Sequence, residues 1–266
     1  MIVVKIGGAE GIGPEHACDD IAELVRGGEQ VVVVHGGSHE TNTLSTRLGI
    51  EPRFVTSPSG HTSRYTDEQA IDTFQMACAR LNARIVRMLW RRGVDAVGLS
   101  GIDGGLWQAK RKSAIRAVED GVTTIIRDDH SGVIERVDAS LLDTLCDVGR
   151  VPVLCPPAIG REHEPINVDA DRAAAQTAGA MQADTLVILS NVPGLLRSFP
   201  DEASLVPSLQ RAELDSALEL AQGRMKRKVL AAGEAIDAGV RRVILADARR
   251  ERPIRHALEG QGTVLS

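Results

Sequence analysis

Lysine is nearly missing from this chain of 266 residues. Of 31 basic residues only five are lysine (Lys5, Lys110, Lys112, Lys226 and Lys228), and the other 26 are arginine. Long hydrophobic runs are missing as well. None approaches the roughly 20 residues that span a bilayer, and with the first apolar run starting at residue 2 no secretory leader is expected. No membrane association is therefore expected. Cysteine is sparse. Cys18, Cys78, Cys146 and Cys155 have no metal-type spacing and sit in apolar contexts, as reduced core residues of a cytoplasmic protein do. The seven histidines are scattered, so no zinc site is indicated. A net charge of −5 argues against a general nucleic-acid binder. No G-x-G-x-x-G opens the first helix, which argues against a dinucleotide-binding dehydrogenase. Low-complexity linkers and internal repeats are also absent, and the length suffices for one large domain or two lobes with a sizeable core.

What is present begins with two apolar runs that stop at glycine pairs. They are Ile2-Val3-Val4-Lys5-Ile6-Gly7-Gly8 and Val31-Val32-Val33-Val34-His35-Gly36-Gly37-Ser38. Runs this β-branched predict parallel strands buried on both faces. A helical pattern from Pro14 to Gly27 lies between them and makes a strand–helix–strand unit. In such folds ligands bind beyond the carboxyl ends of the strands. Glycine there lets backbone N–H groups approach an anion without a Cβ in the way. Lys5 is an ammonium inside an apolar strand, costly to bury without an anionic partner. Together these features predict a phosphate site within the first 40 residues.

The rest of the chain alternates strands and helices. That predicts an α/β fold with a mainly parallel central sheet and helices on both faces. Helices are expected at 39–48, from Thr66 onward with Thr66 or Asp67 as cap, and at 139–148, 170–181 and 214–238. Strands are expected at 94–99, 151–155, 185–189 and 242–246, with a closing helix and strand after them. The helix after Thr66 carries an apolar stripe of Ile71, Phe74, Cys78, Leu81, Ile85 and Met88. Beside it Arg80, Arg84, Arg87 and Arg91 form either a solvated flank or a dimer contact. Residues 51–64 read as a hairpin or flap over the site. Residues 106–137 read as hairpins punctuated by Gly104-Gly105, Asp120-Gly121 and Ser131-Gly132. The halves divide near Pro165, at 1–165 and 166–266, and are expected to share one continuous sheet.

Two further clusters admit two readings each. Asn167-Val168-Asp169-Ala170-Asp171 opens a helix, where a carboxylate can cap the helix or serve a site. Gly223-Arg-Met-Lys226-Arg-Lys228 is a solvated basic patch or part of a site.

Taken in order, the glycine-ended strands, Leu99-Ser-Gly-Ile-Asp103-Gly, Ile166-Asn-Val-Asp-Ala-Asp171, Ser190-Asn-Val-Pro-Gly194, Gly-Arg-Met-Lys-Arg-Lys228 and Gly262-Thr263-Val264 resemble the amino acid kinase family on its acetylglutamate kinase branch, along essentially the whole chain. The group most similar phosphorylates aminoadipate held on a small carrier protein, LysW. This resemblance implies a three-layer αβα sandwich (the amino acid kinase fold) with an acyl-substrate and dimerisation lobe at 1–165 and a nucleotide lobe at 166–266. It implies that Lys5 and Lys228 neutralise the transferring phosphoryl group and that Asp171 holds both lysines. Gly7 and Gly8 would bind phosphate. Gly36, Gly37, Arg64 and Asn167 would bind the acyl substrate, and Ser190, Asn191 and Gly194 would lie near the nucleotide. ATP and Mg²⁺ would be the cofactors, with no metal ligand from the protein itself.

Two departures from the branch pattern stand out. Ser38 replaces the third glycine of the usual His-Gly-Gly-Gly, which points to a different substrate chain near the second glycine turn. No additional N-terminal helix is expected ahead of the first strand, which points to a homodimer without arginine feedback. The expected activity is ATP-dependent phosphorylation of the side-chain carboxylate of carrier-bound 2-aminoadipate, in lysine biosynthesis. The alternatives are an acetylglutamate or carrier-bound glutamate kinase of arginine biosynthesis and, from another class, a non-catalytic sensor. The basic cluster of Lys110, Arg111, Lys112 and Arg116 is expected on one hairpin, where it would be a solvated patch or a dock for an acidic carrier.

Overall fold

A computed structural model describes residues 1–58, 60, 62–119 and 122–266, with Glu119 described by its backbone alone. The Asp120-Gly121 turn and two residues of the 51–64 flap, Ser59 and His61, lie outside the described residues. In chain order the elements are β1 (Ile2–Ile6), α1 (Glu15–Arg26), β2 (Val31–His35), α2 (Ser38–Arg47), β3 (Phe54–Thr56), β4 (Thr62–Arg64), α3 (Glu68–Trp90), β5 (Ala96–Gly101), β6 (Trp107–Arg111), β7 (Ile115–Glu119), β8 (Val122–Ile126) and β9 (Gly132–Val137). They continue with α4 (Ser140–Asp147), β10 (Val151–Ile159), β11 (Pro165–Ile166), α5 (Ala170–Ala180), β12 (Thr185–Ser190), β13 (Ser208–Leu209), α6 (Leu214–Leu220), α7 (Arg224–Asp237), β14 (Arg242–Asp247), α8 (Pro253–Leu258) and β15 (Thr263–Leu265).

The large sheet has the order β13-β15-β14-β12-β1-β2-β10-β6-β9, with β5 and β11 also paired to β10. Its centre, from β14 through β12, β1, β2 and β10 to β5, is parallel throughout. Among the described residues its antiparallel pairs are β14 with β15, β6 with β9 and β10 with the short β11. β1, β2 and β12 are buried at every residue. A parallel sheet covered on both faces demands this of its central strands.

Strand alternation sorts the core into two layers. Ile2, Val4, Ile6, Val31, Val33 and Val187 pack against α1, α3 and α8. Val3, Val32, Val34, Leu186, Ile188 and Val243 pack against α4, α5, α6 and α7. The result is an α/β three-layer sandwich with a mainly parallel sheet. Lys5 follows Val3 by two residues, so it projects from the face that α5 and α7 cover. That parity decides which helices can reach it.

α5 and α7 approach closely because their contact is built of small residues. Ala174, Ala178, Ala231 and Ala235 are fully buried, and a Cβ on Gly179 would fall 2.5 Å from that of Ala238. The Arg172–Glu234 ion pair, at 2.6 Å, joins the same two helices. A second sheet, β4-β3-β7-β8, is antiparallel and stands apart from the first.

Three expectations need correction. The helix expected at 214–238 is two helices. Ala221 is extended at ψ 127° and Gly223 takes φ +52°, a left-handed value that glycine reaches without strain, so the helix stops at Leu220 and restarts at Arg224. The first-half basic cluster does not share one hairpin. Lys110 and Arg111 belong to β6, paired with β9 in the large sheet, whereas Arg116 belongs to β7 in the small one. The strand expected at 151–155 runs on to Ile159. Of the two proposed caps of α3, Asp67 acts, its carboxylate accepting from the Ala70 N–H at 2.9 Å.

Candidate active site

Three charged side chains from distant parts of the chain converge at the carboxyl end of β1. Lys5 comes from β1, Asp171 from the first turn of α5 and Lys228 from α7. The Lys5 Nζ lies 2.6 Å from Asp171 Oδ1. Lys228 Nζ donates to both carboxylate oxygens, at 3.0 and 2.8 Å. All three are buried. Burial alone would push the Asp171 carboxyl up, but the ammonium groups of Lys228 and then Lys5 outweigh it and hold the group well below the usual carboxylate range. Two ammonium groups against one carboxylate leave positive charge in excess, in surroundings with little water to screen it.

The two acids that open α5 now separate by role. Asp169 is the cap, its Oδ1 accepting from the Asp171 and Arg172 N–H groups at 3.0 and 3.1 Å. Asp171 is thereby left to the lysines. Arg227, next to Lys228, stands 3.5 Å from Asp169 and donates to the Thr62 carbonyl in β4 at 2.9 Å. It links α7 to the flap, a role its place in the basic run did not reveal.

The two glycine turns touch backbone to backbone. A Cβ on Gly8 would fall 2.6 Å from the Gly36 carbonyl carbon and 2.7 Å from the Gly37 nitrogen. Cys78 of α3 packs closely on Gly37, its Sγ 2.6 Å from where a Cβ there would stand. Gly7 meets Ile12 and the Leu189 carbonyl in the same way. Ser38, the departure from a third glycine, ties the turns together. Its hydroxyl donates to the Gly8 carbonyl at 2.7 Å, and the His39 N–H donates to the same oxygen at 2.8 Å.

Arg64 ends β4 half-buried. It donates to the Asn42 side-chain oxygen on α2 and its guanidinium lies 5.1 Å from the centre of the Phe54 ring. Burial lowers its pKa from the ordinary arginine value. Its partner is a neutral amide, so its charge remains available to an anion. Asn167 donates from its side chain to the Thr66 hydroxyl at 3.0 Å, and its backbone pairs with His130 and Gly132. Ser190 closes β12, with its hydroxyl donating to the Val192 carbonyl at 3.2 Å. Gly194 packs on Thr263, whose hydroxyl also accepts from the Leu195 N–H at 2.8 Å. Asn191 is exposed in the turn between them.

Of the first-half basic residues, Lys110, Lys112 and Arg116 are exposed. Arg111 is half-buried and its Nε donates to the Asp129 carbonyl at 2.9 Å. A cleft of about 400 Å³ opens on the α3 side of the glycine turns, lined among others by Gly8, Gly11, His39, Glu40 and Arg84. It lies across the sheet from Lys5. Sequence reasoning missed Asn42 and Asn82, two amides within otherwise ordinary helices. Asn82, on α3, donates to the Val153 carbonyl at 2.8 Å and its amide nitrogen stands 3.2 Å from His35 Nε2.

The sequence profile of the amino acid kinase family matches residues 1–247. The chain belongs to this family. The [LysW]-aminoadipate kinase of Deinococcus radiodurans is 51% identical over 267 residues, covering 100% of this chain and 91% of that protein. The [LysW]-aminoadipate kinase of Thermus thermophilus is 50% identical over 268 residues, with 100% of both chains covered. Among solved structures, N-acetylglutamate synthase of Neisseria gonorrhoeae, complexed with coenzyme A and N-acetyl-glutamate, superposes with a TM-score of 0.81 at 26% identity. This chain is covered completely in that match and spans 59% of the synthase. In an amino acid kinase, a buried excess of positive charge beside two glycine turns suits a site where phosphoryl charge is moved.

Proposed function

We propose that this chain transfers the γ-phosphoryl group of ATP to the side-chain carboxylate of 2-aminoadipate held on a LysW-type carrier protein, forming an acyl phosphate for lysine biosynthesis. One observation carries the chemistry, Lys5 and Lys228 meeting on the single carboxylate of Asp171. Full-length identity of about half to two proteins named [LysW]-aminoadipate kinase supports the substrate.

A carboxylate oxygen of the substrate attacks the γ-phosphorus. The bond from that phosphorus to the β–γ bridging oxygen breaks, and ADP leaves with the electron pair. The attacking group is already an anion, so no side chain has to remove a proton. Lys5 and Lys228 offset the charge of the transferring group, and Asp171 holds both ammonium groups ready between turnovers. Gly7 and Gly8 line the phosphate path, while Gly36, Gly37, Arg64 and Asn167 hold the acyl end of the substrate. Ser190, Asn191 and Gly194 lie along the nucleotide. Mg²⁺ would arrive on the nucleotide phosphates, the usual mode for this ion. Among the described residues no three His, Cys, Asp or Glu side chains converge to hold a metal.

In this reading residues 1–165 bind the acyl substrate and dimerise, and residues 166–266 bind nucleotide. α3 supports a homodimer, with Met76 and Trp90 each 51% exposed along its outer side. Exposed Lys110, Lys112 and Arg116 would steer an acidic carrier toward the site. Four free, buried cysteines suit the cytoplasm.

A hydroxylamine-trapping assay tests the reading. With ATP and Mg²⁺, acyl hydroxamate should form on carrier-bound aminoadipate in preference to carrier-bound glutamate and free N-acetylglutamate. Preference for glutamate on the carrier would move the protein to the arginine route, and activity on N-acetylglutamate alone would remove the carrier. Absence of product from all three would overturn the kinase assignment.

A further inference from the structure

His35 ends β2 immediately before the second glycine turn, and its imidazole is completely buried. Its two ring nitrogens have different partners. Nδ1 lies 3.1 Å from the carbonyl oxygen of Gly36. Nε2 lies 3.2 Å from the side-chain nitrogen of Asn82 on α3. A carbonyl oxygen can only accept, so Nδ1 must carry the proton and Nε2 must be bare. Nε2 then needs a donor, which the Asn82 amide supplies.

The orientation of that amide is fixed independently. The Asn82 nitrogen also faces the Val153 carbonyl at 2.8 Å and the Leu99 carbonyl at 3.5 Å, both acceptors. Its oxygen occupies space that exists because residue 98 is glycine, since a Cβ on Gly98 would fall 2.1 Å from it. α3, β2, β5 and β10 therefore meet in one buried hydrogen-bond hub. Burial, reinforced by the Lys5 ammonium, lowers the His35 pKa to about 4, so the ring is neutral at physiological pH.

The hub ends on the peptide that joins Gly36 to Gly37. In a trans peptide the C=O and N–H point in opposite directions. With its carbonyl turned to His35, the Gly37 N–H is turned away from the buried ring. Gly8 packs against the same peptide from the first glycine turn. Glycines have little torsional preference of their own, so a neighbour must supply the orientation.

We infer that Asn82 and His35 are positioning residues for phosphoryl transfer. Asn82 fixes the Nδ1–H tautomer of His35, and His35 in turn locks the Gly36–Gly37 peptide in the orientation that the site uses. This deepens the kinase reading and rests on it for its kinetic part.

Long-range ¹H–¹⁵N spectra of the imidazole rings in the full-length protein, without substrate, test the hydrogen bonds directly. A resonance assigned to His35 by its loss in His35→Asn should show the Nδ1–H tautomer at neutral pH. An Nε2–H tautomer or an imidazolium overturns the inference. Turnover on the preferred acyl substrate tests the consequence. His35→Leu removes the donor to Gly36 and should lower kcat by about ten- to a hundredfold, with the KM for ATP changed much less. His35→Asn places an amide N–H near the position of Nδ1 and should restore most of that loss. A purely space-filling role predicts the reverse order, since leucine fills the volume better, and that order would overturn the inference. Should His35→Leu fail to fold, Asn82→Asp decides. A carboxylate draws a proton to Nε2, so the spectrum should change and kcat should fall, and an unchanged spectrum with unchanged kcat counts against the hub. Because the spectrum needs no substrate, an inactive parent overturns the kinase reading while the spectrum still decides the hydrogen bonds.

Discussion

Gly8 and Gly36 belong to different glycine turns, yet they are packed so tightly that a Cβ on Gly8 would stand 2.6 Å from the Gly36 carbonyl carbon. The three atoms nearest that Cβ are all backbone, which cannot swing aside as a side chain tip can. We expect Gly8→Ala to separate the turns and to lower kcat at least tenfold, since displacements near 1 Å at a reacting centre can cost about a hundredfold. Steady-state kinetics check this, and a Gly8→Ala enzyme with parental kcat would show that the turns need not touch.

The lysine pair makes a second, separable prediction. Lys5→Met leaves Asp171 paired with Lys228, so the fold should persist while kcat falls by orders of magnitude. Asp171→Asn instead leaves two ammonium groups buried together, and loss of one partner from a buried ionic cluster costs about 3–5 kcal/mol. Denaturant melts should therefore rank Asp171→Asn well below Lys5→Met, which should lie near the parent. The opposite ranking would argue that Asp171 is not the shared counter-ion.

Arg64 is expected to act on one substrate only. Arg64→Lys keeps the charge but loses the planar fork, so the KM for the acyl substrate should rise roughly tenfold, worth about 1.4 kcal/mol, while that for ATP stays within about twofold. Asn42→Ala, which removes the amide that orients the guanidinium, should move the same constant in the same direction by less. Equal shifts for both substrates would assign Arg64 to the scaffold.

His35 predicts a pH dependence of stability. Its ordinary value of 6.5 falls to about 4 in the folded chain. As pH drops below 6.5 the unfolded chain binds a proton that the folded chain refuses until about pH 4. Acid therefore favours unfolding across that window, by an amount on the order of 3 kcal/mol at its lower end. Above pH 6.5 the group contributes no slope. Urea melts from pH 7.5 to 4.5 should show this loss in the parent and a shallower one in His35→Asn. Parallel curves would mean that the His35 pKa is the same in the folded and unfolded chains.

For carrier docking the structure changes which residues to vary. Arg111 is engaged with the Asp129 carbonyl, so Lys110, Lys112 and Arg116 are the ones to replace with serine. We expect the triple variant to lose kcat/KM on carrier-bound substrate mainly through association. Salt dependence should flatten as well. If the variant matches the parent at low ionic strength, the carrier docks elsewhere.

Much of this architecture is legible in the chain because burial on both faces leaves a plain signature. Val31 to Val34 and Ile2 to Ile6 have no solvent side to mark with polar residues, and Lys5 stands out against them. The α5 acids show where legibility stops. Asp169 and Asp171 are chemically alike and two residues apart, and only the helix geometry makes one a cap and the other a counter-ion. Asn82 was invisible for a different reason. A single amide in an amphipathic helix breaks no periodicity, and its partners lie on three separate strands. The break between α6 and α7 was hidden because residues 214–238 hold two glycines, of which Gly223 interrupts the helix while Gly233 lies buried inside α7. The basic cluster near residue 110 misled because contiguous sequence crosses there from one sheet to another.

The place of β1 has a consequence for how the molecule comes into being. The first strand of the chain lies at the middle of the sheet, between β2 and a strand that begins at residue 185. Its partner on one side is made almost at once, and its partner on the other only after two-thirds of the chain exists. During synthesis β1 therefore has an open edge of unpaired amides, and Lys5 waits on it for a carboxylate at residue 171 and a second ammonium at residue 228. A chain that ends before residue 228 can pair Lys5 with Asp171 but lacks the second ammonium that leaves positive charge in excess. Catalytic competence is thus acquired late and all together, and in a renaturing sample the first appearance of turnover marks closure of the whole sheet.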